Sequence, residues 1–199
     1  MRTPATPAPS EAPADAVLAV NPLHRPSPRL TAAAGRAGAL GVLELSERRR
    51  DAIEVLRRTA RWSGGRPFGV RVRPGCPLGV ADLPEDATTV LLADPARTAA
   101  DFPGRRVLVE VTSLAGATDA VRAGAAGLLL RGSECGGRAG ELSTFVLLQG
   151  VLADPGIAVP VWAWGGIGPR TAAAAVAGGA AGVVLDVQLA LLDEAEPDA

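Results

Sequence analysis

The chain has no lysine and no tyrosine, a single histidine and only two cysteines, so all 20 of its basic residues are arginine. Without a lysine amine, the chain cannot form the Schiff base on which one class of phosphate-sugar lyases depends. Cys76 and Cys135 lie far apart, with no second pair of ligand residues near either. The sequence therefore predicts neither a zinc site nor a structural disulfide.

The net charge is also small, and the sequence contains no long apolar run. The formal net charge is −1, and the longest basic block, Arg48-Arg49-Arg50, is more typical of a solvated helix face than of a nucleic-acid surface. No apolar run approaches the roughly 20 residues that span a bilayer, and the first residues lack the apolar centre of a secretion signal. We therefore predict a cytoplasmic protein with no nucleic-acid or membrane partner.

The composition changes along the chain and indicates where folded structure begins. Proline and alanine dominate the start, which predicts a disordered leader over residues 1–15. The remaining chain is long enough for one hydrophobic core, so we expect a single domain over residues 16–193 and a short acidic tail over 194–199.

Short apolar runs rich in valine and leucine recur eight times, with little polar alternation. They are typical of parallel strands buried on both faces. The runs are Val17–Val20, Leu40–Leu45, Phe68–Val72, Thr89–Ala93, Val107–Val111, Gly127–Leu130, Val159–Trp164 and Gly182–Leu185.

Most segments between these runs have helical patterns, namely Pro28–Ala37, Glu47–Trp62, Ala115–Ala123, Glu141–Leu152 and Pro169–Ala177. Two connections, 74–87 and 94–104, are short and broken by proline, so we expect degenerate helices or loops there. The alternation favours an α/β fold, a compact (β/α)8 TIM barrel, with an open doubly wound sheet as the alternative.

Glycine-rich loops follow the late strands of this predicted barrel. "RGSECGGRAG" (131–140) follows the sixth strand, "WGGIGPRT" (164–171) the seventh, and "LDVQ" (185–188) the eighth. Active sites of such barrels lie at the carboxyl ends of the strands, and phosphates bind the last loops. Glycines there either expose backbone N–H groups to an anion or simply make tight turns, and their spacing alone does not decide between the two.

These loops resemble those of the nitronate monooxygenases, also called 2-nitropropane dioxygenases, and of the related flavin-dependent enoyl reductases of polyketide and polyunsaturated fatty-acid synthases. "GSECGGRAG" is similar to the family loop G-x-E-A-G-G-H-x-G, and "VPVWAWGGIGPRTAAAAVAGGAAGVVL" to its last strand–helix–strand unit. The resemblance implies an FMN-binding barrel. It assigns the flavin phosphate or ring to the loop residues Gly132, Glu134, Gly136, Gly137, Gly165, Gly166 and Ile167.

The chain departs from the family at several positions. Arg138 stands where the family has its catalytic histidine, and an arginine cannot accept a proton, so ordinary nitroalkane chemistry is doubtful. If the loop keeps the family geometry, the Arg138 side chain points into the mouth. Asp186 and Val187 replace a glycine and a threonine near the phosphate, with Arg131, Arg138 and Arg170 available to offset the carboxylate. Arg71 replaces an asparagine that is often found near the flavin.

Three further side chains have less certain roles. His24 faces either the same mouth or a surface turn, and we expect the surface turn. Cys135 is expected to be a small apolar filler. Glu134 is expected to orient its loop by accepting backbone N–H bonds.

Two functions remain open at this point. One is an FMN-dependent oxidoreductase barrel that acts on a small nitro or acyl substrate as a component of a polyketide or fatty-acid synthase system. The other is a catalytically degenerate barrel that serves as a scaffold or docking domain. Retention of flavin by the purified protein distinguishes them.

Overall fold

The structure, a computed structural model, describes residues 15–195. Eight strands lie in sequence order, and their bounds agree with the predicted runs to within two residues at most. They are β1 (Val17–Val20), β2 (Leu40–Glu44), β3 (Phe68–Val72), β4 (Ala87–Leu92), β5 (Arg106–Val111), β6 (Gly127–Arg131), β7 (Val161–Trp164) and β8 (Gly182–Leu185).

The strands form a closed parallel barrel in which each strand pairs with its neighbours in the sequence. β1 closes the ring by pairing with both β2 and β8, so that Leu18 lies opposite Leu40 on one side and Val184 on the other. The predicted TIM barrel is confirmed, and the open doubly wound sheet is excluded.

The helices pack around the barrel where the sequence patterns predict them. In the described part of the chain they are α1 (Pro28–Arg36), α2 (Arg49–Ser63), α3 (Leu114–Arg122), α4 (Thr144–Leu152) and α5 (Pro169–Ala177). The two proline-broken connections contain only short 3-10 turns, at Val80–Asp82 and Ala99–Asp101. None of the helices within residues 15–195 combines the length and apolar character that crossing a bilayer requires.

Local sequence explains where these helices begin. The side chains of Ser27, Ser113 and Ser143 each accept a hydrogen bond from a backbone N–H in the first turn of α1, α3 and α4. A serine oxygen at this position satisfies a donor that has no partner inside the helix. Pro169 occupies the first position of α5, where its missing N–H costs nothing.

The barrel interior is filled by apolar side chains and by two tryptophans from one strand. Trp162 and Trp164 are two residues apart on β7, so both point inward, and each is 1% exposed. The Trp162 indole N–H donates to the Asp15 carbonyl at 2.7 Å, whereas the Trp164 indole N–H donates to the Asp186 carboxylate after β8 at 2.7 Å. Trp164 therefore lies beneath the end of the barrel where the strands terminate.

The predicted leader and tail fall largely outside the described residues, which exclude 1–14 and 196–199. The boundaries proposed for them stay predictions.

Gly41 on β2 provides a test of how closely α1 packs on the barrel. A Cβ atom at this position would lie 2.1 Å from the Thr31 carbonyl oxygen, so backbone would have to move. We expect Gly41→Ala to lower the free energy of unfolding by about 2–3 kcal/mol. The matched control is Gly35→Ala inside α1, where a Cβ meets nothing within 4 Å.

Because alanine is the better helix former, Gly35→Ala should raise the free energy of unfolding by about 0.5–1 kcal/mol. Urea denaturation monitored by tryptophan fluorescence measures both variants. Equal stability of the two variants would contradict the packing described for α1 and β2.

Candidate functional site

The loops that follow β6, β7 and β8 enclose a pocket at the carboxyl ends of the strands, which we call the rim pocket. Its volume is about 300 Å³. It contains five of the seven residues that the family resemblance assigns to the cofactor. The residues lining it are Glu134, Cys135, Gly136, Gly165, Gly166, Ile167, Val184, Asp186, Val187 and Gln188.

A second pocket of about 270 Å³ lies beside it, over the end of the barrel, and is called the mouth pocket. The two share Gly136, Asp186 and Val187, so they adjoin, and we call the two together the groove. The mouth pocket is lined by Val20, Asn21, Leu23, His24, Arg71, Arg131, Gly136, Gly137, Trp164, Asp186 and Val187.

A buried cluster of charged side chains forms the floor of the mouth pocket. Arg71 donates to both oxygens of Glu110, at 2.5 and 2.9 Å, and to Glu44 at 3.2 Å. Arg73 pairs with the other oxygen of Glu44, and Arg131 donates to Glu110 at 3.3 Å. Among the described residues, no buried side-chain nitrogen or oxygen lacks a partner.

The cluster holds its charges without help from a ligand. Burial alone would lower the pKa of Arg71, but Glu110 and Glu44 together raise it above its ordinary value. Arg71 therefore stays charged at every working pH. Removing one member would leave a partner charge buried and unpaired, which costs about 3–5 kcal/mol in comparable sites.

The two central arginines of this cluster both lie over the Trp164 ring. The Arg131 guanidinium carbon lies 4.2 Å from the centre of the Trp164 ring, and that of Arg71 lies 5.1 Å away. Cations over an indole face are attracted by the ring quadrupole, more strongly when they are desolvated. The stack fixes the orientation of both guanidinium groups under the mouth pocket.

Arg131 also holds the glycine loop that follows β6. Its side chain donates to the Gly136 carbonyl at 2.5 Å and to the Arg138 carbonyl at 2.9 Å. In a trans peptide the C=O and N–H point in opposite directions. The N–H groups of Gly137 and Ala139 therefore point away from the Arg131 guanidinium. Arg131 donates no hydrogen bond to Asp186 within residues 15–195, although both residues line the mouth pocket.

Glu134 orients the loop, as predicted. Its carboxylate accepts hydrogen bonds from the Thr144 backbone N–H at 2.9 Å and the Thr144 hydroxyl at 3.0 Å, at the start of α4. Burial alone would raise the pKa of Glu134, but these hydrogen bonds bring it below its usual value. Glu134 thus stays ionised while lining the rim pocket.

The loop after β7 presents backbone N–H donors to the rim pocket, at the end of the groove away from the mouth pocket. The N–H groups of Gly166 and Ile167 donate to no protein acceptor in the described part of the chain. Gly166 has φ +64°, a left-handed conformation that glycine adopts without strain. The first turn of α5 follows directly, and its dipole favours an anion at this end.

Gly165 and Gly166 in this loop are required to be glycine for different physical reasons. A Cβ at Gly165 would lie 2.8 Å from the Thr144 hydroxyl and 2.9 Å from the Cys135 sulfur, so packing within the protein requires it. A Cβ at Gly166 meets only the Glu134 side chain, at 3.6 Å, and would lie in the groove. Gly132 likewise packs against Thr144 and does not line either pocket.

Arg138 does not line the mouth pocket, where the family resemblance implied that it would lie. Its side chain lines a separate groove beside the carboxyl ends of β4 and β5, together with Asp94, Thr98 and Glu110. The cause is the turn of the loop, which presents the Arg138 carbonyl to Arg131. The expectation that Arg138 points into the mouth was wrong.

His24 lies in the exposed 3-10 turn Pro22–His24, as we expected, and it also lines the mouth pocket. Its Nδ1 atom lies 3.2 Å from the Arg71 guanidinium nitrogen and 3.9 Å from Glu44. Burial lowers the pKa of His24 below 6.5, Glu44 opposes that shift, and Arg71, Arg73 and Arg131 reinforce it. The sequence signal was the position of His24, in the loop directly after a strand that ends at this rim.

The charged cluster was missed by the sequence analysis, although its signal is visible. Four of its members occupy the last or second-to-last position of an otherwise apolar strand. They are Glu44, Arg71, Glu110 and Arg131, on β2, β3, β5 and β6. Charged residues at the carboxyl ends of otherwise apolar barrel strands indicate a polar layer at the mouth.

No protein-family model matches the chain. Two curated relatives, from Mycobacterium tuberculosis and Rhodococcus jostii, are both named (3aS,4S,5R,7aS)-5-hydroxy-7a-methyl-1-oxo-octahydro-1H-indene-4-carboxyl-CoA dehydrogenase. Each is 31% identical, over 86% and 84% of this chain respectively. The matches cover 51% and 49% of the relatives, so the chain spans about half their length.

Solved structures give a similar result. FabK from Thermotoga maritima superposes with a TM-score of 0.75 and 28% identity, over 90% of this chain and 60% of that one. A nitroalkane oxidase from Streptomyces ansochromogenes superposes with a TM-score of 0.71, over 89% of this chain and 66% of that one. Its 24% identity supports the shared fold alone.

Cys135 gives a prediction at the centre of the rim pocket. Burial raises the pKa of its thiol to about 11, and its sulfur donates to the Trp164 carbonyl. At pH 8 roughly one molecule in a thousand would carry a thiolate, the reactive form. We expect iodoacetamide to alkylate Cys135 in a Cys76→Ala variant at least about 100-fold more slowly than it alkylates glutathione.

The same variant unfolded in urea is the control and should react at the rate of an ordinary thiol. Mass spectrometry of timed samples gives both rates. Fast labelling of the native protein would show that Cys135 is an activated thiol, in contradiction to its surroundings.

Proposed function

We propose that this chain, a barrel of the nitronate monooxygenase-like group related to FMN-dependent enoyl reductases, binds FMN along the groove formed by the rim and mouth pockets and acts as a flavin oxidoreductase barrel. The observation that carries the proposal is that the two pockets adjoin. The rim pocket has backbone donors for an anion at Gly166, the mouth pocket has cations in its floor, and the two share Gly136, Asp186 and Val187.

The phosphate fits the end of the groove formed by the loop after β7. The unpartnered N–H groups of Gly166 and Ile167, together with the start of α5, would donate to phosphate oxygens. Arg170 is exposed in the first turn of α5 and offers a guanidinium close in sequence to this loop. This donor set supports a phosphate at the position that the family resemblance assigns.

The middle of the groove suits hydroxyl groups. Asp186 and Glu134 would repel a phosphate placed against them, but ionised carboxylates accept strong hydrogen bonds from hydroxyl donors. Gln188 offers a further side chain there and already donates to the Ile167 carbonyl at 3.1 Å. Asp186 is partly compensated, since the Trp164 indole N–H donates to it. The ribityl chain of FMN has the donors that these residues require.

The mouth pocket suits a planar ring. Val20, Leu23 and Val187 supply apolar walls, and Trp164 lies beneath. Arg71 and Arg131 place two fixed cations in the floor, and positive charge near a flavin ring tunes its electronics. Bound there, the flavin would supply the hydride-transfer chemistry, and the chain would supply orientation and charge.

The described residues favour an acyl substrate over a nitroalkane. Nitroalkane oxidation begins when a base removes a carbon-bound proton. Arg138 lines another groove and cannot accept a proton, and the Nδ1 atom of His24 faces Arg71. The names of the curated relatives specify a carboxyl-CoA compound, which supports an acyl thioester as the substrate class. Association with polyketide or fatty-acid synthase modules belongs to the same proposal.

One observation favours a second function, a degenerate barrel that serves as a scaffold. Every buried charge under the mouth is paired within the protein, so the described residues need no ligand to satisfy them. Such a barrel would be folded, stable and unable to take up flavin.

The test is the affinity for FMN of two variants at one position. Gly166→Asn and Gly166→Asp place side chains of equal size in the groove, and both residues tolerate the left-handed conformation. A carboxylate about 5 Å from a phosphate charge costs about 3 kcal/mol at an effective dielectric constant near 20. We expect the Asp variant to bind FMN about 100-fold more weakly than the Asn variant.

Quenching of flavin fluorescence during titration measures both affinities, and circular dichroism confirms that both variants are folded. Equal affinities would refute the phosphate position. If the unmodified protein takes up no FMN at all, the scaffold function replaces the oxidoreductase function.

A further inference from the structure

The loop after β1 is strained where it delivers His24 to the mouth. Leu23 and His24 have φ values of 55° and 56°, and both are in the left-handed region although neither is glycine. Such backbone costs about 1–3 kcal/mol per residue and persists where the surrounding structure holds it, often at functional sites. Leu23 is also 62% exposed, so burial of its side chain does not explain the strain.

Contact with Arg71 determines which nitrogen of His24 carries the proton. A guanidinium is a donor only, so the Nδ1 atom 3.2 Å from it must accept. In the neutral ring the proton then lies on Nε2. Protonating Nδ1 as well would place an N–H against a cation, which the fixed position of Arg71 opposes.

The Nε2 atom faces the mouth. A Cβ atom built on Gly137 would lie 3.9 Å from it, so this edge of the ring looks across the groove toward the loop after β6. Among the described residues, no acceptor is hydrogen-bonded to Nε2. The ring is half exposed, and its free donor is therefore directed at whatever occupies the pocket.

We propose that His24 is the substrate-recognition residue of the mouth, a neutral imidazole whose Nε2–H donates a hydrogen bond to a carbonyl or carboxylate oxygen of an acyl ligand. A donor fixed in advance is suited to an oxygen that gains negative charge. His24 thus acts as a hydrogen-bond donor and does not replace the catalytic base that position 138 lacks. The proposal rests on the proposed function only in its choice of an acyl ligand.

Burial and neighbouring arginines keep the ring neutral. Glu44 on β2 favours the imidazolium, while Arg71 on β3, Arg73 directly after β3 and Arg131 on β6 oppose it. Burial acts in the same direction as the arginines. An anion bound at Nε2 would stabilise the imidazolium and hence raise the pKa of His24.

Because His24 is the only histidine, two-bond ¹H–¹⁵N spectra of the tag-free protein report on this ring alone. We expect the Nε2-protonated tautomer at pH 7.5 and a pKa below 6.5. The probe is crotonate, a short unsaturated acyl anion, compared with crotyl alcohol, which has no carbonyl oxygen. Crotonate should shift the His24 resonances and raise the pKa, whereas crotyl alcohol should leave both unchanged.

Two variants separate donation from packing. His24→Gln retains an N–H donor, and His24→Phe retains a ring without one. A hydrogen bond to a charged group contributes about 1.5–3 kcal/mol, so Phe should weaken crotonate binding by at least about tenfold. Gln should stay within about threefold of the unmodified protein. Arg25→Gln, at an exposed position outside both pockets, is the control and should change nothing.

An Nδ1-protonated ring, or crotonate affinity that is equal in the Gln and Phe variants, would overturn the proposal. The result is independent of flavin. If crotonate perturbs His24 while FMN fails to bind, His24 recognises acyl ligands and the flavin function is wrong. If FMN binds and crotonate leaves His24 unperturbed, the role of His24 alone is wrong.

Discussion

The stack of Arg71 and Arg131 on Trp164 is the interaction on which the mouth of this barrel depends. Each partner of the stack reaches a different part of the rim. Arg131 holds the loop after β6 through two carbonyls, and Arg71 holds His24 after β1. Trp164 itself binds Asp186 after β8. One buried group of side chains thus sets the positions of three loops that belong to different crossovers.

This arrangement explains why the site can be present and yet depart from the family pattern. The two carboxylates below the stack neutralise the central arginines, so the cations are tolerated in the interior without a ligand. Because Arg131 binds the Arg138 carbonyl, the side chain at position 138 is directed into the groove beside β4 and β5. Arg138 therefore does not line the mouth pocket, whereas His24 does.

The fold was predictable from the sequence because each strand is buried on both faces and carries its own apolar run. Helix starts at Ser113, Ser143 and Pro169 are set by neighbouring residues, which a sequence displays directly. The direction of a side chain at the rim depends on contacts that the sequence does not display. Arg138 was mispredicted for this reason, since a hydrogen bond from Arg131 to its carbonyl holds the loop there. The contact of His24 with Arg71, 47 residues away, was likewise not predicted. Glu134 was predicted correctly because its partner, Thr144, begins the next helix.

We propose that the groove over β6, β7 and β8 holds FMN with its phosphate at Gly166 and its ring in the mouth pocket. The similarity of the barrel to FabK, the unpartnered N–H groups after β7 and the cationic floor all support it. A crystal structure of the protein grown with FMN tests it most directly. If FMN binds as proposed, phosphate density will lie at the Gly166 and Ile167 N–H groups and ring density will lie in the mouth pocket. Flavin bound elsewhere, or an intact mouth without flavin at saturating concentration, would contradict it.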